Sequence, residues 1–172
     1  MNIKEIKIHN FAHGSTYTLP TTSDSEGTWA KPTPTKGAYT VVTGQNITVD
    51  SKDNATEISV KAPMLFVPQT LNPWKPDVAE TKTKAQADDA VQSYLEITCK
   101  IKQNDELVFK SDKEYVTLYV PFKATWEQGK RYIYTLIFGG GYDENGNPIL
   151  HPIKCEGEAE DWPTPTESNV DL

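Results

Sequence analysis

Three histidines, His9, His13 and His151, and several carboxylate-rich turns are the side chains whose types and spacing could bind metal or move protons. His9 and His13 stand at i and i+4, a spacing at which two imidazoles on a helix share a zinc ion. Here the surrounding pattern is that of a strand and a turn, and no third ligand is near, so the pair does not make a zinc site. His151 falls in an expected strand and reads as a satisfied polar side chain. Asp143, Asn145 and Asn147 imitate the first three ligands of a calcium loop. Pro148 then stands where a glycine is needed for the sharp turn, and Lys154 where a bidentate acid belongs. Asp50 and Asp53 offer only a looser oxygen cluster.

Gly139-Gly140-Gly141 is followed by neither Lys-Ser/Thr nor a helix, so it is a strand exit rather than a phosphate cradle. Asp88 and Asp89 are adjacent and splay apart. No Gly-x-Ser-x-Gly elbow presents a nucleophile. The expectation is a non-enzymatic protein with no catalytic residue, no cofactor and no metal. Four tryptophans remain, Trp29, Trp74, Trp126 and Trp162. Trp29 and Trp74 sit in expected loops and are the candidates for ligand or partner contact, by stacking on sugar rings. The competing and favoured reading is that each indole plugs an edge of the core with its N–H paired.

The elements that would position these residues are strands. Ile6, Ile8 and Phe11 suggest an opening strand ended near His13-Gly14, and Thr16 to Leu19 a short one before Pro20. Residues 21–36, rich in Ser, Thr, Gly and Pro, read as a loop holding Trp29. Short strands follow at Tyr39 to Val42, Asn46 to Val49 and Glu57 to Lys61. Met64 to Val67 lacks alternation, the mark of a strand covered on both faces. Asn72 to Ser93 reads as a long surface loop with one or two helical turns within Ala79 to Val91, since no apolar stripe persists. Tyr94 to Ile101 alternates cleanly, and Asn104-Asp105 turns the chain into Leu107 to Lys110. Val116 to Phe122 alternates again until Pro121, which has no N–H to donate, ends the ladder. Arg131 to Phe138 is apolar on both faces and reads as a central strand. Asn145-Gly146 is a hairpin dipeptide, returning as a strand from Pro148 to about Glu156. Nine or ten short strands and no long helix indicate an all-β fold, an antiparallel β-sandwich with long loops.

Bulk properties fit. The chain has 172 residues, 37% hydrophobic, with 12 prolines and 10 glycines for turns. It is expected to be one domain over 1–162, followed by a polar tail at 163–172. A net charge of −7 speaks against nucleic acid and anionic lipid, which attract basic surfaces. No run approaches the ~18 apolar residues of a membrane span. No leader and no lipid-attachment cysteine follow Met1, so an exported protein is expected to be represented by its mature part. Cys99 and Cys155 share strand parity with buried neighbours and are expected to point into the core, as free thiols or as a disulfide that only geometry can decide.

Several motifs, taken in order, resemble the fimbrillin family, the type V pilus subunits of Bacteroidetes. They are Gly14-Ser15-Thr16-Tyr17, Gly27-Thr28-Trp29, the Leu-Phe-Val-Pro-Gln run at Leu65 to Gln69, and a Tyr-Leu-x-Ile strand at Tyr94 to Ile97. They continue with Trp126, Gly129, Lys130, Tyr132 and Tyr134, and end at Asp161-Trp162. The resemblance is to the C-terminal β-sandwich domain of the family and implies a transthyretin-like, Greek-key sandwich. It implies a cell-surface fimbrial subunit or adhesin at the outer membrane, with other fimbrial subunits as partners through β-strand addition, and with a surface glycan or protein as a further partner. Family members trimmed by an arginine-specific protease differ from this chain, whose only arginine is Arg131. The segment after Trp162 also lacks the alternation of a donor strand. The alternative reading is a glycan-binding β-sandwich module of a surface lipoprotein.

Overall fold

The computed structural model describes residues 1–22, 25–43, 47–49, 56–58, 64–103, 106–107, 114–137, 142–148 and 154–161. Its framework is an antiparallel sheet with strands in the order β10 (Val116–Pro121), β7 (Tyr94–Lys100), β1 (Asn2–Phe11) and β4 (Thr35–Val42). The short β5 (Ile47–Thr48) pairs with the first residues of β1. The alternation of β7 explains its central place. Leu95, Ile97 and Cys99 are buried on one face, opposite Ile8, Ile6 and Ile3 of β1 and Val120, Leu118 and Val116 of β10.

Strand β1 does not alternate so simply, since Ile3 and Ile6 are three residues apart. A register shift between Ile3 and Glu5 absorbs the extra residue, so both isoleucines face the core. A second irregularity lies between His9 and Phe11, where Asn10 takes φ 59°. Asparagine tolerates this left-handed conformation better than other side chains, and the kink turns Phe11 inward.

The opposing layer is assembled from shorter pieces. β6 (Gln69–Thr70) pairs with β11 (Thr125–Trp126), and β12 (Lys130–Ile137) pairs with β13 (Lys154–Asp161) over eight residue pairs. Phe66, Leu71, Phe122, Ala124 and Trp126, joined by Tyr132, Tyr134 and Leu136, meet the buried face of the main sheet in one core. The result is the expected antiparallel all-β sandwich. Two small ribbons complete it, β2 (Tyr17–Thr18) with β3 (Thr28–Trp29) and β8 (Lys102–Gln103) with β9 (Glu106–Leu107).

On the other face of the main sheet, the excursion from 72 to 92 covers one end. It holds a 3-10 turn (Ala79–Thr81) and α1 (Lys84–Asp89), started by a Thr83/Gln86 capping box. Trp74 and Ala87 pack there on Tyr94 as a second, smaller core.

Four expectations are corrected. Residues 21–36 are not all loop, because Thr28–Trp29 pairs with β2 and β4 already begins at Thr35. Met64 to Val67 is not a doubly covered strand: no ladder forms there, and Leu65 is 86% exposed. The ladder begins only after Pro68, at Gln69. Strand β12 is not central among the described residues, since it pairs with β13 alone and leaves Ile133 exposed. Arg131 is accordingly exposed rather than in the core. His151, Trp162, Asp50, Asp53, the 139–141 glycines and most of the strands expected at Glu57 to Lys61 and Leu107 to Lys110 lie outside the described residues.

Candidate interaction surfaces

Two motifs of the sequence meet at one corner of the core. Trp126 is buried, and its indole N–H donates to the Tyr134 hydroxyl at 2.8 Å. The Tyr132 hydroxyl accepts from the Glu127 backbone N–H at 2.9 Å. Both tyrosines thus reach back across the turn, where Gly129 holds φ 72°. Phe66 of the Leu-Phe-Val-Pro-Gln run stacks on Trp126, with centroids 4.4 Å apart and planes 12° apart. Gln69 of the same run is buried and acts as a strand partner for the end of β1. Its Oε1 accepts from the Ala12 N–H at 2.8 Å, and its Nε2 donates to the Ala12 carbonyl at 2.9 Å. These residues are spacers and pins of the core, with every polar end paired.

Trp74 is 2% exposed, and its indole N–H donates to the Thr81 carbonyl at 2.6 Å. It plugs the second core and has no face open to a ligand. Around it, Asp88 gathers the polar ends of three elements. Its Oδ1 accepts from Asn10 Nδ2 at 2.8 Å and from the Tyr94 hydroxyl at 2.7 Å, while Oδ2 meets Lys84 at 2.9 Å. Burial pushes the Asp88 carboxyl up, but the hydrogen bonds from Asn10, Lys84 and Tyr94 outweigh it and hold the group below the usual carboxylate range. Burial and the Asp88 charge drive the Tyr94 phenol far above its ordinary value.

His9 stacks on Tyr94 with centroids 4.5 Å apart, and its Nε2 lies 3.1 Å from a Glu96 carboxylate oxygen without an aligned hydrogen bond. The imidazole beside it lowers the Glu96 carboxyl despite burial. His13 lies apart, against Phe11. The loop of Asp143 closes on itself: its Oδ1 accepts from the N–H groups of Asn145 and Asn147, and its Oδ2 from the Asn147 amide. With Gly146 at φ 73°, this is the expected Asn-Gly turn. Among the described residues no three His, Cys, Asp or Glu side chains gather as a metal site. Cys99 is a free, buried thiol pushed up to about 11 by burial. It behaves as a small apolar side chain.

Among the described residues, two exposed surfaces stand out. The first is the outer edge of β4. Among the described residues no strand pairs with it, and Thr35 to Thr40 are all exposed. Beside it Tyr39 is 40% exposed, with its ring edge-on to Phe66 at 5.6 Å, and Leu65 adjoins Phe66 in the chain. The second is the β2–β3 hairpin, which pairs Tyr17 directly with Trp29. Their ring centroids are 5.0 Å apart, and each residue is 37% exposed. Of the two candidate tryptophans, then, Trp29 is open and Trp74 is closed, and they belong to different parts of the molecule. The sequence places Tyr17 in a motif and Tyr39 at a strand start, and marks neither as a contact residue. Tyr17 was findable from the Gly27-x-Trp29 spacing, had residues 21–36 been read as containing a return strand.

The profile of the fimbrillin-like family matches residues 1–162. No curated protein and no solved structure matches the chain significantly. The match takes in the whole sandwich, from β1 through β13, and leaves only residues 163–172 outside: the chain belongs to the fimbrillin-like family.

Proposed function

We propose that the protein is a non-enzymatic fimbrial subunit that takes a strand of a neighbouring subunit at the outer edge of β4. Family membership supplies the broad class, a fimbrial subunit of a cell-surface appendage. The observation that supports this edge is the exposed run Thr35 to Thr40, unpaired among the described residues. In an antiparallel ladder every second residue turns both its N–H and its C=O outward. An eight-residue edge strand therefore offers about four such residues to an incoming chain.

Backbone bonds alone do not make this contact strong. Each is worth about 1 kcal/mol net, while ordering each residue of a free segment costs about 1–2 kcal/mol. The surplus must come from side chains. The apolar shelf of Tyr39 and Phe66 beside the edge is where alternate residues of a partner strand gain it. We read residues 1–162 as one domain and 163–172 as a tail outside this contact. The proposed location, at the surface of the outer membrane, follows from the same reading.

A photo-crosslinker placed at Ala38 of β4 tests the proposal in cells, with Thr117 of β10 as the comparison. Ala38 is expected to yield a ladder of subunit multiples that Thr117 does not. Equal ladders, or none from Ala38, reject this edge. Immunogold labelling then separates shaft from tip: label along filaments marks a shaft subunit, and label at their ends a tip adhesin.

A further inference from the structure

We infer that the β2–β3 hairpin carries a binding platform for a neutral sugar, made by Tyr17 and Trp29. Neither ring belongs to either hydrophobic core. Two large aromatic side chains are instead left partly open, 37% exposed each.

The hairpin fixes them there without help from the core. The Ala30 N–H donates to the Thr16 carbonyl at 2.8 Å, and the Ser15 hydroxyl donates to the Ala30 carbonyl at 2.6 Å. Gly27 completes the arrangement. A Cβ at that position would overlap the Tyr17 hydroxyl and ring, so only glycine lets the phenol lie across the hairpin beside the indole. The planes are inclined by 50°, giving a fixed angled surface rather than a collapsed stack. A rigid aromatic surface loses little entropy on binding.

The chemistry of the occupant follows from size and charge. Roughly 150 Å² of ring surface stands open, taking about 150–250 Å² for each whole side chain. A stable protein interface needs about 800 Å² from each partner, whereas one or two pyranose rings match the smaller area. Tyr17 and Trp29 are direct cross-strand partners, so both uncharged rings lie on one face of the ribbon, while Thr16, Thr18 and Thr28 alternate onto the other. Two uncharged aromatic faces suit the C–H face of a neutral sugar, not an ion or a lipid headgroup. The inference rests on the hairpin alone and stands or falls apart from strand addition at β4.

The test is a titration of the isotope-labelled chain with chitotetraose and with lacto-N-tetraose, following the Trp29 indole N–H by NMR. A saturable shift confined to the indole and to amides 16–18 and 28–30 is expected, with a Kd of about 0.1–10 mM. Trp29→Ala should abolish it and Tyr17→Ala weaken it by at least about fivefold. Trp29→Phe, which keeps a ring and so keeps the hairpin pair, should retain saturable binding. No saturable shift from either sugar overturns the inference. So does a shift that follows protein concentration instead of sugar, which would make the pair a subunit contact, and so does undiminished binding by Trp29→Ala.

Discussion

Asp88 lies in the last turn of α1, and its carboxylate holds Asn10 of β1 and Tyr94 of β7, so one side chain fastens the helical excursion to the sheet. Replacing it with asparagine keeps the shape but removes the charge that three donors converge on. Asp88→Asn is expected to cost about 1–3 kcal/mol by urea denaturation, with little change in m. The same groups set a pH dependence. Asp88 and Glu96 both have carboxyl groups held below their ordinary range in the folded state. Their contribution is complete above the unfolded value of about 4 and is lost as pH falls through the lower folded values. Urea midpoints measured from pH 7 down to pH 3 should fall for the natural sequence and fall less for Asp88→Asn combined with Glu96→Gln. Trp74→Ala belongs to the same scale: emptying the second core should cost about 3–5 kcal/mol in the same assay while leaving the Trp29 indole signal in place.

At the scale of elements, the β12–β13 ribbon shows how side-chain size sets strand pairing. Tyr134 lies opposite Gly157 in register, and a Cβ there would sit 2.7 Å from the Tyr134 ring. Gly157→Ala forces the ring aside and strains its bond to Trp126. A loss of about 1–3 kcal/mol is expected, read by thermal melting together with a change in Trp126 fluorescence. The opening strand, β7, β10 and the Asn-Gly turn were legible because period-two alternation and turn chemistry are local properties. The one or two helical turns expected within 79–91 are the 3-10 turn and α1, although no apolar stripe marks them in the sequence. β3 was missed because two residues make no period, and its pairing depends on Tyr17, twelve residues before its partner Trp29. Leu65 misled for the opposite reason. An apolar run looks buried from its composition, but Pro68 delays the ladder and leaves this leucine outside.

For the whole molecule, a sheet with an open edge is a hazard unless something covers it. A head-to-tail contact between an edge on one copy and a strand of the next is heterologous, and such contacts generate filaments where they do not close into rings. Charge helps to confine this to the specific partner, because a net charge of −7 makes copies repel outside a matched interface. Substituting Tyr39→Lys at the edge is expected to remove subunit multiples in a crosslinking gel. It should change stability by less than about 1 kcal/mol, as for exposed sites generally. Raising salt should speed encounter between copies of the natural chain, by screening their repulsion over about 10 Å.

The sequence by itself determined the all-β class, the central alternating strands, the burial of Cys99, and, through the order of its motifs, the family. Each of these rests on residue type or on short-range periodicity, which the backbone geometry of strands translates directly into faces. Tertiary structure alone decided which tryptophan is open and which is closed. Trp29 and Trp74 both sit among polar, loop-like residues, so their neighbours in sequence do not distinguish them. Burial is a property of what arrives from elsewhere in the chain. Tyr94 and Ala87 arrive over Trp74, whereas neither core reaches the hairpin that holds Trp29 beside Tyr17.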